Sequence, residues 1–385
     1  MNGGFHDSID RGSSDSVKWG AYAPDVLPLW VADMDFRSPP AVLDALAERV
    51  AHGVFGYGKE PRELAEVIAA RLGRLYAWQV SASDIVFLPG VVPGLYLSCR
   101  AFTEPGEKVV VQTPVYPPIW RAPLDSARSC VETGFIRGDD GKYAMEWDVL
   151  GQTLDAEAKL LILCNPQNPL GRVFSRGELE RIAEYCLRRR VVLCSDEIHC
   201  DLVFPGYRHV PIASLSPEVA QRTVTLMAPS KTYNLAGLDC SYAVIQNPDL
   251  RARFQKARRG LVPHVNILGL TAALAAYRDG QSWLDEVLAY LTANRDAVLE
   301  QVRDHLPGVQ ATAPEGTCLA WLDCRRSPAA AQPYQFFLTR AKVALSDGGQ
   351  FGSGGEGHVR LNFGCRRAVL LEALARMRKA LEKAE

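Results

Sequence analysis

The sequence predicts an α/β protein: a mostly parallel central sheet with helices on both faces, accompanied by a smaller α+β unit. Two observations carry that expectation. Through the middle of the chain, short β-branched apolar runs alternate with polar loops and helical intervals, as parallel strands joined by crossover helices do. After a long helical stretch from about 250 to 305 the pattern changes, and the remainder reads as a separate unit. A chain of 385 residues has room for one large and one smaller domain.

The elements follow in order. Before Pro39 the chain is irregular and rich in Asp, Gly, Ser and Pro. An amphipathic helix starts near Pro39 in "PPAVLDALAERVAHG", and a second near Pro61 in "PRELAEVIAARLGRLYAW"; proline suits a first helical position. The strands are "DIVFLP" (84–89), "KVVVQT" (108–113), "AKLLILC" (158–164), "RVVLCS" (190–195), "TVTLMA" (223–228) and "SYAVIQ" (241–246). "RGELERIAEYCLRR" at 176–189 is a helix, and the basic cluster "CLRRRVV" at 186–192 is its solvated end before the next strand. "GSGGEG" at 352–357 satisfies G-x-G-x-x-G literally. It follows no clear strand and precedes the strand-like "HVRLNF", whereas the dinucleotide fingerprint needs strand, glycine turn, then helix. It is a glycine-rich loop.

Bulk properties exclude several classes. With 43 basic against 44 acidic residues, net charge −1, and no basic tail, nothing draws nucleic acid or anionic lipid. "MNGGFHDSID" lacks the charged start and apolar stretch of a secretory signal. The most apolar candidate span, "ILGLTAALAAY" at 267–277, is shorter than the roughly 20 residues a membrane helix needs and reads as a buried helix. Ten cysteines, among them Cys164, Cys194 and Cys240 in or beside apolar runs, lie without a CxxC pair. Free buried thiols in a cytoplasmic protein are expected, with no metal site.

Ligands of open α/β sheets bind beyond the carboxyl ends of the strands, so the residues after each apolar run matter most. "GVVPGLYLSC" after the first strand is a glycine turn entering a helix, whose free amides suit a phosphate; read alone, it is a capped helix start. "PVYPPI" sets Tyr116 at a strand tip, alone a core filler. "NPQNPLG" is turn chemistry that also presents Asn168. "DEIHCDL" puts Asp196 at a strand end, where a carboxylate is costly without a partner and otherwise serves as a helix cap; His199 follows it. "PSKTYN" places Lys231 after a buried run, although lysine is usually a surface residue. Jointly, five successive strand ends offer what pyridoxal 5′-phosphate (PLP) requires. They supply a phosphate cradle, a stacking ring, an amide for the ring hydroxyl, a carboxylate for the pyridine nitrogen, and a lysine that desolvation makes nucleophilic.

The ordered motifs "DSVKWG", "LPLWVADMDF", "FGYG", "LPGVVPGL", "TPVYPP", "NPQNPLGRVFS", "SDEIHCDLVFPG", "APSKTYNLAGL" and "RLNFGC" resemble fold-type I PLP enzymes of aminotransferase class I/II. More narrowly, the chain resembles the MalY/PatB group of carbon–sulfur β-lyases. The resemblance implies that Lys231 binds the cofactor aldehyde, Asp196 pairs with the ring nitrogen, Asn168 donates to the ring oxygen and Tyr116 stacks. The amides of Val91 and Val92, with Ser230, would hold the phosphate, helped by Tyr57 reaching across from a second subunit; His199 also belongs to the cofactor set. Arg360 would clamp the substrate α-carboxylate as a bidentate pair, with Asn168, and Trp30 and Asp33 near the substrate entrance. Pocket shape would depend on Trp30, Tyr116 and the loop carrying Gly349, Phe351 and Gly352.

Many aminotransferases carry a tyrosine three residues after the pyridine aspartate, and an arginine eight residues after the lysine. This chain has His199 and Asp239 there. Because an acid beside a phosphate is unfavourable, Asp239 is expected to turn away. The resemblance further implies a homodimer and a large PLP-binding domain at 48–286, with 1–47 and 287–385 forming a split small domain. The reaction implied is β-elimination from cystathionine or an S-substituted L-cysteine, giving a thiol, pyruvate and ammonia. The alternatives are an aminotransferase of the same fold and a non-catalytic PLP-binding regulator.

Overall fold

The computed structural model describes residues 4–138, 141–155 and 157–384. Among them, the central sheet has seven strands: β1 (Ile85–Leu88), β2 (Lys108–Gln112), β3 (Ser129–Thr133), β4 (Ala158–Cys164), β5 (Val192–Asp196), β6 (Thr223–Met227) and β7 (Ser241–Val244). Their order across the sheet is β1-β7-β6-β5-β4-β2-β3. β7 runs antiparallel to both neighbours and the remaining pairs are parallel. All six expected strands form; β3, at the edge, is additional.

The apolar runs form strands because both faces are covered. Along β4, Leu160 and Ile162 face one buried cluster while Leu161 and Leu163 face another. Burying each such side chain contributes roughly 1.5–3 kcal/mol, so the centre of the sheet is a firm base for the loops at its strand ends. Helices α1 (Pro40–Ala51), α2 (Arg62–Tyr76), α3 (Val91–Phe102), α4 (Pro117–Asp125), α5 (Arg176–Arg189) and α6 (Ile267–Asp279) surround it. Ser175 and Glu178 start α5 with a reciprocal capping box, and Arg188 and Arg189 lie exposed in its last turn. Helix α6, which contains the apolar stretch 267–277, is largely buried and packs on α1 and α2. No helix among the described residues is long and apolar enough to cross a membrane.

The long helix α7 (Gln281–His305) leads to a second, antiparallel sheet. It comprises β8 (Gln310–Ala311), β9 (Leu319–Asp323), β10 (Ser346–Asp347) and β11 (His358–Asn362), in the order β8-β9-β11-β10. Helix α8 (Arg367–Glu382) packs against α7. The N-terminal segment joins this part of the molecule: Leu27 and Pro28 pair in parallel with Val343 and Ala344. Residues 47 and 286 fall inside α1 and α7. "GSGGEG" is a loop leading into β11, as expected.

Candidate active site

Asp196 ends β5, opposite Cys164 of β4, and is almost wholly buried. One carboxylate oxygen accepts the Ile198 amide at 3.2 Å. No cation pairs with it among the described residues, and burial pushes its pKa up to about 7. Lys231 lies in the short helix Pro229–Thr232 after β6, and its amine donates to the Ala32 carbonyl at 2.9 Å. Burial lowers its pKa below the usual lysine value. The next residue is anchored from behind: Thr232 donates to Asp201 at 3.0 Å, and Asp201 is paired with the buried Arg71 at 2.8 Å.

The loops after β2 and β4 are tied together. The Tyr116 amide donates to the Asn168 carbonyl at 3.0 Å, and the Gln167 side chain donates to the Pro114 carbonyl at 2.7 Å. Val91 and Val92 open α3 after Gly90, with no side chain capping that helix start; its first amides are available to an anion. His199 is buried, with its Nδ1 unpartnered. Burial and the nearby charges of Lys231 and Arg360 lower its pKa to about 3, so the ring is neutral at ordinary pH.

The second sheet supplies the opposite wall. On β11, Arg360 donates to Asn168 Oδ1 at 2.9 Å, to the Trp30 carbonyl at 2.9 Å and to the Ser346 hydroxyl at 3.1 Å. Its Nε is buried without a partner, and its guanidinium stands 4.9 Å from the centre of the Phe351 ring. Burial brings its pKa down to about 10. The loop carrying Phe351 is held at several points. The Val115 amide donates to the Phe351 carbonyl at 2.8 Å, Trp120 Nε1 to the Gln350 carbonyl at 3.1 Å, and the Ser353 amide to Glu132 at 3.0 Å.

A single cavity of about 690 Å³ gathers most of the expected residues: Trp30, Val91, Val92, Tyr116, Asn168, Asp196, His199, Lys231, Phe351 and Arg360. Three others are not on its wall. Tyr57 is fully exposed, in the loop between α1 and α2. Ser230 stands beside Lys231 without lining the cavity. Asp33 lies behind the wall, bound to Arg11 at 2.8 Å and 3.5 Å from the fully buried Lys18, and lines a neighbouring cavity. Asp239, expected to turn away from the phosphate, lines the main cavity. Residues the sequence did not single out are Ala32, whose carbonyl carries no side-chain signal, and Ser346, placed beside Arg360 by strand register.

The family described as aminotransferase class I and II matches residues 24–377. The chain belongs to the class I and II aminotransferase family. Within it, the chain is 40% identical over 385 residues to cystathionine beta-lyase PatB of Bacillus subtilis, covering 98% of this chain and 99% of the relative. Among solved structures, a protein named OvoB superposes with a TM-score of 0.94 at 46% identity, covering 98% of each chain. Cystalysin from Treponema denticola, which contains a pyridoxal 5′-phosphate cofactor, superposes with a TM-score of 0.95 at 32% identity over 99% of each chain. The aspartate aminotransferase of Pyrococcus abyssi is 25% identical, over 93% of this chain and 92% of the relative. This family member therefore has a fold-type I architecture with its polar groups collected at the strand ends of the central sheet.

Proposed function

We propose that this family member is a PLP-dependent carbon–sulfur β-lyase acting on cystathionine or S-substituted L-cysteines. The observation that carries the reading is the donor set of the cavity. A buried carboxyl without a cation, a desolvated lysine and an uncapped helix start fit, in turn, a protonated ring nitrogen, an aldehyde and a phosphate. Arg360, with its buried unpartnered Nε, fits an amino-acid carboxylate. The full-length similarity to PatB favours lyase over transaminase chemistry.

When bound, PLP supplies an aldehyde that captures the substrate amine and a ring that accepts the electron pair left at Cα. The chain's residues do the rest. Asp196 keeps the ring nitrogen protonated, Asn168 donates to the ring oxygen beside neutral His199, and Tyr116 covers the ring. The amides of Val91 and Val92 hold the phosphate with Ser230, and Tyr57 of a second copy completes the cradle. Arg360 and Asn168 fix the α-carboxylate, Trp30 and Asp33 shape the entrance, and Lys231 takes the Cα proton as general base. Departure of the sulfur then gives a balanced outcome: thioether amino acid plus water yields thiol, pyruvate and ammonium.

A homodimer is part of this proposal, supported by the exposed apolar Val54 and Phe55 beside Tyr57. So is the division at 48–286 against 1–47 with 287–385, supported by the pairing of Leu27–Pro28 with the C-terminal segment. A cytoplasmic location accords with ten free cysteines, nine of them buried.

The test supplies purified protein and cofactor with L-cystathionine. Equal amounts of pyruvate and thiol, without a keto-acid acceptor, are expected. Turnover only with a keto acid would make it an aminotransferase. Lys231→Ala abolishes turnover in either enzyme; ligand binding that survives without any turnover in the wild type would indicate a regulator.

A further inference from the structure

We infer that Asp239 weakens the hold on the cofactor phosphate, so that this protein releases and exchanges PLP more readily than its neutral-side-chain variant does. The inference rests on the proposed PLP site and goes beyond it. Three observations place the acid. First, Asp239 lines the same cavity as Val91, Val92 and Lys231. Second, strand register fixes its neighbourhood. Ser241 of β7 pairs with Leu88 of β1, and the Ser241 hydroxyl donates to the Leu88 carbonyl at 3.0 Å. Asp239 stands two residues before Ser241 and Gly90 two residues after Leu88, so both leave the paired strands at the same end of the sheet, where Gly90 precedes the first turn of α3. Third, Asp239 is exposed.

The electrostatic consequence has a definite sign. A phosphate monoester carries about −1.5 to −2 charges at neutral pH, and the start of α3 attracts it through free amides and the helix dipole. A carboxylate on the wall of the same cavity repels the phosphate. Asp239 has φ +47° and ψ 57°, the left-handed region that Asn and Asp adopt more readily than most other side chains. Asparagine therefore removes the charge while keeping the backbone.

The experiment measures PLP dissociation from wild-type and Asp239→Asn holoenzyme, by the cofactor's absorbance after dilution and by equilibrium titration of resolved protein. The variant is expected to bind PLP about three- to thirtyfold more tightly, and to release it correspondingly more slowly. The advantage should shrink as salt is raised from about 0.05 to 0.5 M, because the two charges meet near solvent. Equal or weaker binding by Asp239→Asn, with an unchanged melting temperature, overturns the inference. A wild type that binds no PLP overturns the underlying cofactor reading instead, and the inference falls with it.

Discussion

Arg360 and Asn168 are joined by a 2.9 Å hydrogen bond that links the second sheet to a strand-end loop of the first. The amide expected at the cofactor ring and the guanidinium expected at the substrate carboxylate are thus one unit. Because Arg360 also donates from Nη2 to the Trp30 carbonyl and the Ser346 hydroxyl, its orientation is set before any substrate arrives.

Arg360→Lys keeps the charge but loses the fork and the link to Asn168. One charge-assisted hydrogen bond is worth roughly 1.5–3 kcal/mol, so kcat/KM for a thioether amino acid should fall about 10- to 100-fold. Steady-state kinetics check this. Little change would place the substrate carboxylate elsewhere.

Asp196 makes the cofactor-free protein sensitive to pH. Its folded pKa is raised from 3.8 to about 7 by burial, so the folded state holds the proton more tightly than the unfolded chain does. The associated stability is complete below about pH 4 and is lost as pH rises through 7, amounting to roughly 4 kcal/mol at most. Asp196→Asn has no such decline. The difference in melting temperature between cofactor-free variant and wild type should therefore move in the variant's favour between pH 5 and pH 8.

The ion pair of Arg71 with Asp201 lies behind the lysine loop, both side chains 6% exposed. Truncating Arg71→Ala leaves a buried carboxylate without its cation, at a cost of about 3–5 kcal/mol. Urea unfolding should show the lowered midpoint. Asp201→Asn, which keeps an acceptor for Thr232, should be milder.

Glu132 receives the Ser353 amide from the loop that carries Phe351. Burial pushes its carboxyl up, but the Ser353 backbone and side chain outweigh this and hold the pKa below the usual range. Glu132→Ala should loosen the loop and raise KM about three- to tenfold with little change in kcat. A fall in kcat alone would contradict a positioning role.

Most of the central sheet was legible because β-branched runs buried on both faces leave an unmistakable pattern, as along β4. Strand β3 was not: "SCVET" at the sheet edge is partly exposed and mixes polar with apolar residues. Nor was the reversal of β7, since burial on both faces demands the same residues in either direction. Within the site, Asp196, Asn168 and Lys231 announced themselves as polar residues after apolar runs, whereas Arg360 was reached only through the family resemblance. Ala32 could not, because its contribution is a carbonyl that every residue possesses. Asp239 was visible in the sequence, but its place on the cavity wall was not, because that depends on where β7 sits in the sheet and not on local composition.

The bond from Arg360 to the Trp30 carbonyl spans 330 positions, and it has a meaning for the growing chain. Every residue from Val91 to Asp239 leaves the ribosome long before Arg360 is made. This chain's own share of the proposed cofactor cradle is therefore made while the guanidinium proposed to grip the amino acid has yet to be translated. Synthesis arms this protein last.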